Sequence, residues 1–215
     1  MPGCSVPEID IRLIPASALQ PVAWKNGGGV TREIARSPEN PSKESFLWRI
    51  SMADVAQEGP FSAFEGMERI LVVVHGGAMV LIDTGTEARQ VLTRFEPFQF
   101  PGETPIRAEL PEGAIQDFNL MWRRDLAQGQ VYVRRTAQIL GLDPGTVVLH
   151  CPVGSYRVAM ATADLDCVLE QGDTLALTLP GAAACHLDIQ PLVNGAILLD
   201  SRIHAMPMHS TQSDN

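Results

Sequence analysis

Three segments of the chain, FLWRISM at 46–52, RILVVVH at 69–75 and DFNLMWRR at 117–124, read as β-strands whose polar side chains gather on one face. Successive side chains of a strand point to opposite faces, so Phe46, Trp48, Ile50 and Met52 oppose Leu47, Arg49 and Ser51. In the second segment Arg69, Leu71, Val73 and His75 oppose Ile70, Val72 and Val74. In the third, Asp117, Asn119, Met121 and Arg123 oppose Phe118, Leu120 and Trp122. Each strand then has a wholly apolar face and a mixed one. The mixed faces can meet water, as antiparallel sheets allow, or they can line a cavity while the apolar faces pack against a second sheet. In a cavity Arg49 and Arg69 would bind an anion, because a guanidinium presents a planar fork that takes a carboxylate bidentately. Ser51 and Asn119 share that face and would add hydrogen bonds. Asp117 with His75, or Asp54 with Glu58, supplies the residue types of a general base and its partner. No Ser-His-Asp or Cys-His arrangement with a family-like local sequence accompanies them.

WKNGGG at 24–29 is the other unusual stretch, an aromatic, a cation and an amide before three glycines. Glycine lets backbone approach closely or take positive φ. One reading aims amides such as that of Gly28 at a bound anion, with charge from Lys25, a donor and an acceptor from Asn26, and Trp24 as a wall. The other is a tight turn with Trp24 in the core and Lys25 in solvent. Thr31 and Arg32 follow on the next strand, where alternation allows only one of them to share a cavity.

Composition bounds the alternatives. A formal charge of −9 with no basic run excludes a phosphate-neutralising surface for nucleic acid. MPGCSVPEIDIRLIP lacks the basic and apolar regions of a signal peptide, and no apolar run reaches the roughly 18 residues of a membrane span, so a cytoplasmic protein is expected. Cys4, Cys151, Cys167 and Cys185 form no CxxC pair and read as buried thiols.

Glycines and prolines, 18 and 16 of them, punctuate short alternating runs throughout, the pattern of an all-β sandwich or barrel. Helix is expected only as a turn or two at 52–56 and at 16–20. GMERILVVVHGGAMVLI at 66–82 and QGDTLALTLPGAAACHLDI at 171–189 echo one another as strand, glycine turn, strand, and suggest two halves. The division expected is 1–126, carrying the pocket, and 127–205, with a disordered tail at 206–215.

WKNGGGVTREI at 24–34, WRISMADVAQEGPFSAFEGMER at 48–69, FQFPGE at 98–103 and DFNLMWRR at 117–124 together resemble the HutD/Ves family, cupin-like proteins associated with bacterial histidine utilisation. The resemblance spans roughly residues 10 to 200. It implies a bicupin-like fold of two antiparallel β-barrel or jelly-roll halves, with GPFSAFEG at 59–66 as a loop over the barrel mouth. Phe98 and Phe100 read as core. A metal-binding cupin carries several histidines and a glutamate converging on one ion. At the corresponding place this chain has His75 alone in RILVVVHGGAM and no histidine in FPGETPIRAEL. No metal and no cofactor is therefore expected. The resemblance implies a protein that binds a small carboxylate of histidine degradation (urocanate, formimino-glutamate or formyl-glutamate) through Trp24, Lys25, Asn26, Gly28, Thr31, Arg49, Ser51, Arg69 and Asn119. The alternative is a metal-independent hydrolase or isomerase with Asp117 or His75 as base. Monomer and homodimer are both open.

Overall fold

The computed structural model describes residues 9–39, 45–181 and 185–206. In chain order the strands are β1 (Asp10–Ile14), β2 (Pro21–Ala23), β3 (Gly29–Ser37), β4 (Trp48–Val55), β5 (Gly59–Pro60), β6 (Met67–His75), β7 (Met79–Asp83), β8 (Arg89–Leu92), β9 (Phe98–Pro101) and β10 (Ile106–Glu109). They continue with β11 (Ile115–Arg123), β12 (Ala127–Arg134), β13 (Gln138–Leu142), β14 (Gly145–Val153), β15 (Tyr156–Met160), β16 (Leu165–Leu169), β17 (Thr174–Leu179), β18 (Cys185–Pro191) and β19 (Ile197–Ala205).

Four sheets result, and every strand-to-strand ladder is antiparallel. The first half holds a six-stranded sheet, β2-β3-β4-β11-β6-β9, facing a four-stranded one, β5-β10-β7-β8. The second holds a five-stranded sheet, β1-β17-β14-β19-β12, facing β13-β18-β15-β16. The order β4-β11-β6-β9 over β5-β10-β7-β8 recurs strand for strand as β12-β19-β14-β17 over β13-β18-β15-β16. Each half is thus built on an eight-stranded jelly roll of two facing sheets, rather than one continuous closed barrel, with β2 and β3 added to the first. β1, from the N-terminal stretch, pairs with β17 and so extends the second half's sheet.

The large sheets pack back to back, giving four layers and three apolar interiors. Between the halves Trp48, Ile50, Ile70, Val72, Phe118, Leu120 and Trp122 meet Val131, Val148, Leu199 and Ile203. These are the apolar faces that alternation isolates in the three segments. Inside the first jelly roll Leu71, Val73, Met79, Leu81, Leu92 and Phe100 form a second core, and Leu149, Tyr156, Leu175, Leu187 and Leu198 belong to a third in the other half.

Several expectations need correction. Residues 52–56 do not coil: β4 runs on to Val55, paired with β3 and β11 on either side, and tertiary pairing overrides the local helix preference of Met-Ala. A short 3-10 turn does form at Ala16–Ala18. The echo between 66–82 and 171–189 matches β6–β7 with β17–β18, whereas the topological counterpart of β6–β7 is β14–β15. Of the expected tail only Met206 lies among the described residues, and its amide donates to the Leu126 carbonyl at 2.7 Å. Cys4 and His209 lie outside them.

His150 sits in the interior between the halves, 5.7 Å from the Phe118 ring centroid and 2.8 Å from Thr174 Oγ1. Burial holds its imidazole well below the ordinary 6.5, at about 4. The folded state therefore favours the neutral ring, so this contribution is complete above about pH 6.5 and is lost as pH falls through about 4. His150→Gln, which keeps a partner for Thr174 but does not titrate, is expected to remove on the order of 3 kcal/mol of the stability lost between about pH 7 and pH 4. Denaturant unfolding of both proteins across that range checks it.

Candidate functional site

One end of the space between the six-stranded and four-stranded sheets of the first half is not filled by apolar side chains. A cavity of about 500 Å³ opens there, within the range of small-molecule sites. It is lined by Trp24, Lys25, Asn26, Thr31, Arg49, Ser51, Arg69, Asp117 and Asn119, together with Pro60, Phe61, Ser62 and Phe64 of the GPFSAFEG loop.

The floor is set by register. β11 lies between β4 and β6, with Met121 opposite Arg49 and Arg69, Asn119 opposite Ser51 and Leu71, and Asp117 opposite Ala53 and Val73. Rows on one face of a strand are about 7 Å apart, so the floor runs from a cationic row through an amide to a carboxylate.

Both arginines are held by aromatic rings. The Arg69 guanidinium carbon is 5.2, 5.5 and 5.1 Å from the ring centroids of Phe61, Phe64 and Phe100. Arg49 lies 5.0 Å from Phe46 and 5.7 Å from Phe64. Cation–π contact favours a cation without neutralising it. Nε of each arginine, Oδ1 of Asp117 and Oδ1 of Asn119 are buried with no hydrogen-bond partner among the described residues. Buried polar groups are normally paired, and four unpaired ones on residues that line one cavity mark a place for a ligand's polar atoms.

Burial opposes charge on all three ionisable groups. It raises the Asp117 carboxyl to about 7 despite the pull of Arg69. It lowers Arg69 to about 10, against the pull of Asp117 and with the repulsion of Arg49. Arg49 is lowered for the same reason, offset in part by Glu33.

The WKNGGG stretch forms the turn from β2 to β3. Trp24 Nε1 donates to Thr31 Oγ1 at 2.7 Å, which fixes the indole against the cavity wall. Gly29 is required by the neighbouring strand: a Cβ there would lie 2.5 Å from the Asp54 carbonyl oxygen, and it would also crowd Trp24 at 3.1 Å. Thr31 takes the cavity side, while Arg32 pairs with Asp54 at 2.5 Å on the opposite face.

Two of the expected site residues are not brought to the cavity. The Gly28 amide donates to Asn26 Oδ1 at 3.0 Å and its carbonyl accepts from Ala56 and Gln57, so Gly28 has no backbone group left for an anion. His75 is exposed at the end of β6, beyond a register shift that sets it opposite Gln116, off the face of β11 that bears Asp117. Asp54 and Glu58 do not form a pair: Asp54 holds Arg32 and Gln116, and Glu58 accepts from the Leu110 amide.

Alternation misplaced Phe46. β4 begins at Trp48, so Phe46 leaves the apolar face and lies with Met67 and Met121 beneath Arg49. The aromatic walls from Phe61 and Phe64 are signalled by the glycine-bounded composition of their loop and by the resemblance that places it over the barrel mouth.

The donor set does not fit a divalent cation. Asp117 is the one carboxylate among the lining residues and stands beside two guanidinium groups. Among the described residues no group of three His, Cys, Asp or Glu is placed to hold a metal ion.

The second jelly roll shows what the same scaffold does with its charges satisfied. There Asp200 of β19, fully buried, takes Arg134 of β12 at 2.8 Å and Arg202 at 2.5 Å. β19 and β12 are the counterparts of β11 and β4, so the carboxylate and its arginines close on each other where the first half leaves them apart.

These features define a bicupin-like protein with a polar cavity in its first half. The chain belongs to the HutD family, whose model matches residues 16–193. A Pseudomonas putida protein described as an uncharacterized 21.2 kDa protein in the hutC 3' region is 33% identical over 175 residues, covering 79% of this chain and 91% of that one. Protein Ves of Citrobacter koseri is 36% identical over 175 residues, 80% and 87% of the two chains. The structure of HutD from Pseudomonas fluorescens SBW25, determined in a formate condition, superposes with a TM-score of 0.79 at 27% identity and covers 92% of this chain and all of that one. Oxalate decarboxylase of Bacillus subtilis shares the fold alone, with a TM-score of 0.54 at 9% identity, 90% of this chain and 79% of that one being covered. No helix among the described residues is long and apolar enough to cross a membrane.

Because the folded value of Asp117 lies above its ordinary 3.8, the neutral carboxyl is favoured and stability is lost as pH rises through about 7. Asp117→Asn is therefore expected to stabilise the ligand-free protein more at about pH 8 than at about pH 5, by on the order of 2 kcal/mol. Urea unfolding at the two pH values checks the sign, which is opposite to that of His150.

Proposed function

We propose that the chain is a small-molecule-binding protein that takes a carboxylate intermediate of histidine degradation, urocanate, formimino-glutamate or formyl-glutamate, into the first jelly roll and modulates that pathway accordingly. The observation that carries this reading is the Arg49–Arg69 pair, buried against phenyl rings with Nε of each unpartnered. A carboxylate supplies the missing acceptor and charge, and does so bidentately. The place of the Pseudomonas putida relative in the hutC 3' region supports histidine degradation as the source.

A second reading rests on Asp117, whose carboxyl is held near 7 inside the cavity, the range a general base needs. In that case the protein is a metal-independent hydrolase or isomerase of the same intermediates. Calorimetric titration and product assays on the same samples separate the two. Binding without turnover of any of the three supports the first; turnover abolished by Asp117→Asn supports the second.

Arg49→Met and Arg69→Met are expected to lower carboxylate affinity at least about a hundredfold, since a hydrogen-bonded charge pair desolvated at a site is worth several kcal/mol. Neither should lower the unfolding temperature, because replacing a buried unpaired charge by an apolar chain of similar volume relieves a desolvation cost. Wild-type affinity in both variants would remove the arginines from the site.

A further inference from the structure

Besides its two unpaired donors, the cavity holds two unpaired acceptors. Asp117 and Asn119 are 2% and 8% exposed, sit two residues apart on the inward face of β11, and each has Oδ1 buried without a partner. Nothing in their surroundings supplies the missing donor. Ala53 and Val73 flank Asp117 and cannot hydrogen-bond through their side chains. Leu71 flanks Asn119 on one side, and Ser51 flanks it on the other without hydrogen-bonding to it. The acceptors lie one and two rows along β11 from Met121, whose cross-strand neighbours are Arg49 and Arg69. Along the sheet floor the unpaired donors therefore lie at one end and the unpaired acceptors at the other, the latter toward the turn that bears Lys25.

A ligand that is only an anion would satisfy the arginines and leave both acceptors unpaired. Resting on the carboxylate reading above, we infer that the cavity selects molecules carrying a carboxylate at one end and an N–H donor, such as an imidazole or amidine, at the other. Asp117 is then the specificity-determining residue and Asn119 its neutral companion. The carboxylate lies over the cationic row, and the N–H group donates to Asp117 Oδ1 or Asn119 Oδ1. Sites that hydrogen-bond a ligand's polar group reject analogues lacking it strongly, because the protein's own buried group is then stranded.

The test uses matched pairs on the full-length protein by calorimetry: urocanate against furanacrylate and cinnamate, which keep the carboxylate and the planar ring but carry no N–H, and formimino-glutamate against glutarate. At least one donor-bearing member is expected to bind tenfold or more tighter than its donor-free partner. In Asp117→Leu, of similar shape, the ratio within that pair is expected to fall to about one. Asp117→Asn, which keeps one acceptor, should retain part of the preference and guards against a folding defect in the leucine variant. Equal affinity within every pair in the wild type, or a ratio unchanged in Asp117→Leu, overturns the inference while leaving a carboxylate receptor standing. Failure of all five compounds, and of formyl-glutamate alongside them, to bind overturns the carboxylate reading itself.

Discussion

Two guanidinium groups held inside a jelly roll without a carboxylate of their own are the constraint around which the rest of the site is arranged. Removing a cation from water is expensive unless something replaces the lost hydration. In this protein part of the replacement comes from phenyl faces: Phe46, Phe61, Phe64 and Phe100 surround Arg49 and Arg69 at 5.0 to 5.7 Å. The remainder is left to be made, because the one carboxyl in the cavity does not hydrogen-bond to either arginine. Such an arrangement persists only if the surrounding layers fix it. The six-stranded sheet that bears Arg49, Arg69, Asp117 and Asn119 is clamped on its other face by the interior between the halves, where Trp48, Phe118 and Trp122 are buried.

The repeated topology gives an internal comparison. Both halves place charged residues on the inward faces of their large sheets, yet in the second the set is complete: Asp200 lies between Arg134 and Arg202, and Gln138 adds a contact to Arg134. That triad stabilises a closed interior. The first half has the same residue types spread over separate rows of the sheet, with Nε of both arginines and Oδ1 of Asp117 left over. The difference lies in register and row, not in composition, which is why charge counting alone does not distinguish a half with paired charges from one with unpaired charges.

Much of the site was legible in strand alternation. A period of two assigns Arg49, Ser51, Arg69, Asp117 and Asn119 to one face without reference to any fold, and the resemblance of four ordered blocks to the HutD/Ves family supplies the two-half architecture. What escaped depends on where strands begin, how they shift and which partner they take. Phe46 falls before β4, so its alternation does not extend from Trp48. A bulge between Gln116 and Asp117 pairs His75 with Gln116, off the face that bears the carboxylate. The crossing of β1 to β17 is a long-range pairing with no local signature, and β5 and β13, with glycine or proline in short runs, give too weak a period to be read. The echo between hairpins failed because any two strand-turn-strand units look alike at that level; only sheet order identifies counterparts.

The central claim is that the first jelly roll is a receptor for a small carboxylate without need of a metal. Thermal unfolding of the chelator-treated protein, with urocanate, formimino-glutamate, formyl-glutamate, histidine and glutamate added singly, tests it most directly. A ligand at about a hundred times its Kd stabilises by roughly 2.7 kcal/mol, a shift of several degrees for a chain of this size. The account predicts a selective rise with at least one of the three pathway anions, persisting after chelation. No rise with any of them, together with a rise on adding a divalent metal ion, would contradict it.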